Sequence, residues 1–434
     1  MLKLGVVLLG CAALLVAFLA ARSDHGLPHV GSSQASDERP NVLLIVTDDQ
    51  RYDQLKVMPK TRRFFRLGTR YANAYATTPL CCPGRASILS GRYAHNHDVL
   101  SNTDAWRFNP KLSIQAELAR AGYATALFGK YMQGIKHPLP FFRRSHTGYG
   151  ADLRYSDRLV ADRSLRFLRE QERRDEEPWF LVFSARSPHA PHLVPRRYRR
   201  LRLPRFVRTP AHRESIADKP QAIRKRSRRQ RKLRKTPRQI WRGQLRMLAF
   251  LDDQLARVYR FLKRRGELEN TLVIFISDNG YLLGEHRLLR KGPPYQESVR
   301  VPLLVRYDRL DLARRDERLA ANIDLAPTIF EAAGIEPAYE PDGRSLWGGE
   351  RDWALTEHRT KGFHWRAYRD QEIHLIEHYS RTGELAVREL YDLGQDPLEL
   401  ANIFHRRPKY TDDRVEAAQA ALAAAADCQA AGCP

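Results

Sequence analysis

Asn41–Thr47 reads NVLLIVT and runs directly into Asp48-Asp49. An uncharged stretch this rich in β-branched residues has no polar alternation, so it predicts a strand covered on both faces of a sheet. Thr271–Ile276 (TLVIFI) and Trp179–Phe183 (WFLVF) repeat the pattern. Between those two, Leu245, Leu248, Leu251, Leu255, Val258 and Leu262 recur at three- and four-residue spacing. That spacing predicts an amphipathic helix, stopped at Gly266. Ser113–Ala121 and Ala161–Glu170 have the same helical character. Buried strands alternating with helices give an α/β fold, with a mostly parallel central sheet flanked by helices.

The texture changes after about residue 330. Ile373–Glu377 and Ala386–Tyr391 flank Arg381-Thr382-Gly383 as an antiparallel hairpin, and an Ala-rich helix covers Asp413–Ala426. The chain therefore divides into a main domain over 40–330 and a small α+β subdomain with its tail over 331–434. Upstream, Lys3 precedes an uncharged run from Leu4 to Ala21, which fits an export signal or a membrane anchor over 1–21. Residues 22–39 form a linker. Export makes a disulfide between Cys428 and Cys433 the favoured reading of the C-terminal cysteines. Cys81 and Cys82, being adjacent, suit a bridge poorly.

The chain holds 74 Lys and Arg against 50 Asp and Glu, a net charge of +24. Residues 196–246 carry 21 of those bases and only two acids, Glu214 and Asp218. The extreme charge thus belongs to one segment. Its readings, in order of preference, are a solvated face, a contact for a polyanionic substrate, and a nucleic-acid or acidic-membrane surface.

Two of the apolar strands end alike, one in Asp48-Asp49 and the other, through Ser277, in Asp278-Asn279. Ligands gather at the carboxyl ends of strands in such sheets. Side by side, these groups form an oxygen cage for one hard divalent cation. Calcium is preferred over magnesium because it accepts many protein oxygens at flexible geometry. The plain alternative is that Asp and Asn cap helices and form turns after strands.

Cys81-Cys82-Pro83-Gly84-Arg85-Ala86-Ser87-Ile88-Leu89-Ser90-Gly91-Arg92 decides between them. It resembles the C-x-P-x-R, x-x-x-L-x-G-R signature of type I sulfatases. Gly129-Lys130-Tyr131, Pro188-His189-Ala190-Pro191, Ser277-Asp278-Asn279-Gly280, Gly284-Glu285-His286-Arg287, Lys291 and Ile323-Asp324-Leu325-Ala326-Pro327-Thr328 follow in family order. The resemblance spans about residues 38–405 and is strongest to the branch of N-acetylglucosamine-6-sulfatases and arylsulfatases.

That resemblance implies an alkaline-phosphatase-like fold and an exported sulfuric ester hydrolase acting on a sulfated saccharide or aryl sulfate. It implies that a formylglycine-generating enzyme oxidises Cys81 to formylglycine. The hydrated aldehyde attacks sulfur with one hydroxyl, and the other expels sulfate from the covalent sulfo-enzyme. It assigns Asp48, Asp49, Cys81, Asp278 and Asn279 to the metal. It assigns catalytic roles to Cys81, Arg85, Lys130, Lys291 and His189, the last as proton donor to the departing alcohol. Two departures stand out. Gly84 occupies a position where many relatives have serine or threonine, and Met132 one where some have histidine. The proton acceptor in the elimination step is therefore open, with His286 and His192 as candidates. The rival functions are a phosphonate or phosphodiester hydrolase of the same superfamily, and an inactive polyanion-binding surface protein.

Overall fold

The computed structural model describes residues 39–434 except 136–137, 175–176, 231–234, 361 and 407–411. The expected signal or anchor, and the linker up to residue 38, lie outside the described residues. Among the described residues, no helix is long and apolar enough to cross a membrane.

The strands of the main domain are β1 (Asn41–Thr47), β2 (Thr69–Tyr75), β3 (Ala124–Gly129), β4 (Arg144–His146), β5 (Trp179–Ser184) and β6 (Thr271–Ser277), then a ribbon of β7 (Leu282–Leu283) and β8 (Leu289–Arg290), then β9 (Leu303–Arg306) and β10 (Arg315–Ala321). Eight of them form one sheet in the order β10-β2-β9-β6-β1-β5-β3-β4. Only β9 runs against its neighbours, β2 and β6. β1 is central, pairs in parallel with β5 and β6, and is buried at every position.

Period-two alternation sends successive β1 side chains to opposite faces. Val42, Leu44 and Val46 pack with Ala86 and Leu89 of the helix Cys81–Ser90 and with Leu325 and Ile329. Leu43 and Ile45 pack with Leu165 and Leu168 of the helix Ser156–Glu172, and with Leu248, Leu251 and Leu255 of the helix Pro237–Arg265. That last helix begins two turns before the apolar stripe expected from sequence. Thr236 and Gln239 form a capping box at its start and Pro237 occupies its first turn. Its early residues Ile240 and Trp241 pack on Leu283 of the ribbon rather than on the sheet, so they fall off the main stripe. Gly266 ends it at φ 76, a left-handed cap.

A second sheet is an antiparallel meander of β11 (Ala354–Thr360), β12 (Phe363–Arg369), β13 (Ile373–Tyr379) and β14 (Leu385–Asp392). The expected hairpin corresponds to β13–β14. β11 and β12 escaped the sequence reading because charged residues interrupt them, and Glu357 and Arg369 are buried as ion pairs with His95 and Glu399. The helix Asp412–Ala424 lays Val415, Ala418 and Leu422 on Leu355, Leu375 and Leu390. Cys428 and Cys433 are joined by a disulfide.

The basic segment is not a uniform solvated face. In its helix Gln221–Gln230, Lys225, Arg228 and Arg229 are exposed while Ile223 and Ser227 are buried.

Candidate active site

β1 and β6 are in register with Thr47 opposite Ser277, so Asp48 and Asp278 leave the sheet side by side. Asp49 adopts φ 70, a left-handed turn that Asp tolerates better than most residues. Its backbone N–H donates to Asp278 Oδ1 at 3.2 Å, and Asn279 Nδ2 donates to Asp49 Oδ1 at 2.7 Å. The helix Cys81–Ser90 brings Cys81 to this point at its first residue. Ligand atoms of Asp48, Asp49, Cys81 and Asp278 all lie within 4.8 Å of one another, and all four residues are buried.

Three cations enclose these carboxylates. Lys130 Nζ donates to Asp48 Oδ2 at 2.6 Å. Lys291 Nζ donates to Asp49 and lies 2.6 Å from Cys81 Sγ. Arg85 Nε donates to Asp278 Oδ2 at 2.9 Å, while its Nη1 reaches Ser184 Oγ at 2.6 Å and the Lys130 carbonyl at 2.9 Å. Burial pushes the Asp48 carboxyl up, but Lys130 first, then His189, Lys291 and Arg85, hold it far below the usual carboxylate range. Burial and the Asp48 carboxylate push Asp278 up. Burial and then Asp48 likewise push the unmodified Cys81 thiol well above its ordinary value.

Two buried atoms of this cluster lack hydrogen-bond partners. Asn279 Oδ1 has no donor, and Arg85 Nη2 has no acceptor. An unpaired buried polar atom is costly, so the first asks for a cation and the second for an anion. An all-oxygen set of three carboxylates and one amide therefore fits a hard divalent ion.

His189 sits at the rim, with its side chain 39% exposed and Nε2 3.8 Å from Asp49 Oδ2. The buried Arg186 holds its loop by donating to the carbonyls of His189 and Pro191 at 3.0 and 3.1 Å. The two candidate proton acceptors differ sharply. His286 places Nδ1 2.8 Å from Glu214, and although burial opposes its charge, Glu214 and Glu297 push it up to about 9, so it stands as a cation. Burial and Lys235 push His192 down to about 4, and it interacts with Asp49 and His189. Met132 is buried in the apolar core. Cys82 faces away from the cage, its Sγ accepting from Gln133 N at 3.3 Å. Gly84 is packed so closely that a Cβ would meet the Asp278 carbonyl oxygen at 2.3 Å.

Sequence reading missed the supports of the site. Arg186, Ser184 and Asn102, which accepts from Cys82 N at 2.9 Å, carry no motif. Tyr149, whose phenol burial pushes up to about 12, interacts with Lys130 and Asp48 from a loop without pattern.

Comparison with known proteins gives two family profiles. One described as Sulfatase matches residues 40–335, and one described as N-sulphoglucosamine sulphohydrolase, C-terminal, matches residues 284–423. The human N-acetylglucosamine-6-sulfatase is 30% identical over 379 residues, covering 72% of this chain and 64% of its own length. The chain spans between 32% and 64% of the length of the first curated relatives it matches. A protein solved with its substrate D-glucosamine-2-N,6-O-disulfate superposes with a TM-score of 0.74 at 23% identity, covering 89% of this chain and 97% of the other. The phosphonate monoester hydrolase of Agrobacterium radiobacter superposes with a TM-score of 0.72 at 23% identity, covering 89% and 95%.

Proposed function

The chain belongs to the sulfatase family, with its alkaline-phosphatase-like fold, and from that premise we propose that it hydrolyses sulfate monoesters, on sulfated saccharides, at the cluster around Cys81. The observation that carries this reading is the convergence of Cys81, three buried carboxylates, the unpaired Asn279 Oδ1 and the unpaired Arg85 Nη2 at one point. A cation-and-anion site beside a convertible cysteine is what sulfate ester hydrolysis requires.

In this reading Cys81 Sγ stands where the oxygen of formylglycine belongs, after conversion by a formylglycine-generating enzyme. Asp48, Asp49, Asp278 and Asn279 hold one divalent ion, calcium in preference to magnesium. When present, the hydrated formylglycine supplies a hydroxyl nucleophile and the ion withdraws charge from the sulfate oxygens. Lys130 and Lys291 are point charges that grip those oxygens. Arg85 fixes Asp278 and the turn bearing residue 81. His189, on the rim and open to solvent, reaches the leaving alcohol and delivers its proton. His192, held neutral at the site's edge, receives a proton better than the cationic His286. The Cys428–Cys433 disulfide supports export to an oxidising compartment.

The substrate class follows the glucosamine sulfatases among its relatives. The likeness to a phosphonate monoester hydrolase keeps one competing reaction in view. Paired aryl esters, assayed for sulfate, phosphate and phosphonate release, separate the two. The sulfate ester is expected to be the best substrate, and a preference for the phosphonate by orders of magnitude overturns the proposal. Peptide mass spectrometry across Ala76–Arg85 of protein made in a host that carries a formylglycine-generating enzyme is expected to find Cys81 converted. An unmodified thiol there would instead favour an inactive, polyanion-binding protein.

A further inference from the structure

Behind the Asn279 loop lies a second convergence that shares no ligand with the first. His286, Glu297 and Glu399 offer ligand atoms within 4.8 Å of one another, and all three are buried. His286 Nδ1 meets Glu214 Oε1 at 2.8 Å, so a neutral imidazole keeps its proton on that nitrogen and presents a lone pair at Nε2. That Nε2 points at Glu297 Oε2 from 3.7 Å, and neither atom has a hydrogen-bond partner. His286 is wholly buried and Glu297 is 3% exposed.

The lone pair of a neutral ring facing a carboxylate oxygen at this separation is repulsive unless positive charge lies between them, and either a proton on Nε2 or a metal ion supplies that charge. The gap is too long for a hydrogen bond. It is close to the distance of about 3.4 Å separating a nitrogen and an oxygen on one tetrahedral zinc ion. Glu399 accepts from Arg369 and His374 on Oε1 and from Gln296 N on Oε2, at 2.6, 2.8 and 3.0 Å. A carboxylate has about four acceptor positions, so one remains on Oε2. A carboxylate that accepts from the far nitrogen of a ligating histidine, as Glu214 does here, is the usual support of such a ligand.

We propose that His286, Glu297 and Glu399 form a second divalent-cation site of the zinc class, with Glu214 orienting the imidazole. One nitrogen and two carboxylates suit zinc better than calcium, which prefers oxygen alone. With protons only, Glu214 and Glu297 keep His286 cationic, and burial with Glu285 pushes Glu297 up. The pocket therefore already holds one positive charge that a metal can replace. Its place in the fold gives it a structural task. Gly280 N donates to Ser298 O at 2.8 Å and Tyr281 N donates to Glu297 O at 2.5 Å, so an ion here braces the loop bearing Asn279. Through Glu399 it also ties that loop to the C-terminal subdomain.

The test uses full-length protein, stripped of metal and then saturated with calcium, and titrated with Co2+ and with Zn2+. One equivalent of Co2+ is expected to bind with nitrogen–oxygen absorption and no thiolate charge-transfer band, and Zn2+ is expected to displace it. His286→Gln and Glu297→Gln are each expected to weaken uptake at least tenfold, while Asp278→Asn in the first cluster retains it. Loss in Asp278→Asn with retention in Glu297→Gln puts the ion in the first cluster and overturns the proposal. If either site variant fails to fold, anomalous diffraction at the zinc edge from wild-type crystals decides. A peak between His286 and Glu297 sustains the proposal, and its absence, like failure of the wild type to take up either metal, overturns it.

Discussion

Cys81 and Cys82 are neighbours with opposite surroundings. Cys81 Sγ lies 3.4 Å from Asp48 and 2.6 Å from Lys291, whereas Cys82 packs into the apolar core. Cys81→Ala is therefore expected to abolish sulfate release. Cys82→Ala is expected to keep kcat within a fewfold, at a stability cost of about 1 kcal/mol for the small void. Equal losses in both would refute the assignment. Asn279 Oδ1 makes a second residue-scale case, since it is an acceptor without a donor. Asn279→Ala is expected to raise the calcium concentration for half-maximal activity by about tenfold, some 1.4 kcal/mol, with calcium in excess restoring turnover. An unchanged requirement would remove Asn279 from the ion. The acidic pairs were legible because both follow fully apolar strands. Arg186 and Ser184 were not, since nothing local distinguishes an arginine that braces a loop from one that meets solvent.

At the scale of elements, the helix Gln221–Gln230 shows how a charge run can hide a specific contact. Arg226 Nη2 donates to the Lys291 carbonyl at 2.7 Å, and Gln230 exchanges two hydrogen bonds with the Leu289 backbone. This helix therefore clamps the ribbon that presents Lys291. Arg226→Ala is expected to lower kcat on a small aryl sulfate about tenfold, a loss near 1.4 kcal/mol. The outward pair Arg228→Ala/Arg229→Ala is expected to leave it unchanged, and similar losses from both would return the helix to a solvated face. The short helix Ala94–His97 carries a pH effect. His97 Nδ1 accepts from Val99 N at 3.1 Å, Nε2 faces Ser87 Oγ at 3.0 Å on the helix of Cys81, and burial pushes the ring down to about 3 from 6.5. Between those values the unfolded chain binds more protons than the folded one. Stability is thus lost as pH falls from 6.5 toward 3, by up to about 1.4 kcal/mol per pH unit from this group. Urea melts of wild type and His97→Gln between pH 4.5 and 7 check it, and identical slopes would exclude His97.

Across the whole molecule, the main sheet was readable because uncharged β-branched runs leave few alternatives. The meander β11–β14 was half hidden, since its buried charges are satisfied by partners distant in sequence. One of them, His95 paired with Glu357, joins the two parts of the chain. Beyond the last helix, the tail docks on the segment that follows the helix Cys81–Ser90. Pro434 O accepts from the Tyr93 hydroxyl at 2.8 Å, Cys428 O accepts from Asn96 Nδ2 at 2.8 Å, and Ala430 N donates to Asp342 at 2.9 Å. The disulfide holds a loop of five residues' separation in shape for these contacts. Chain-entropy reasoning puts closure of so short a loop at roughly 2 kcal/mol. The double variant Cys428→Ser/Cys433→Ser is therefore expected to lower Tm by about 2–4 °C. If the tail also steadies the helix bearing Cys81, kcat on an aryl sulfate near the melting range should fall before global unfolding. Parallel loss of activity and fold across the whole temperature range would limit the tail to a stabilising clasp, and an unchanged Tm would deny it even that.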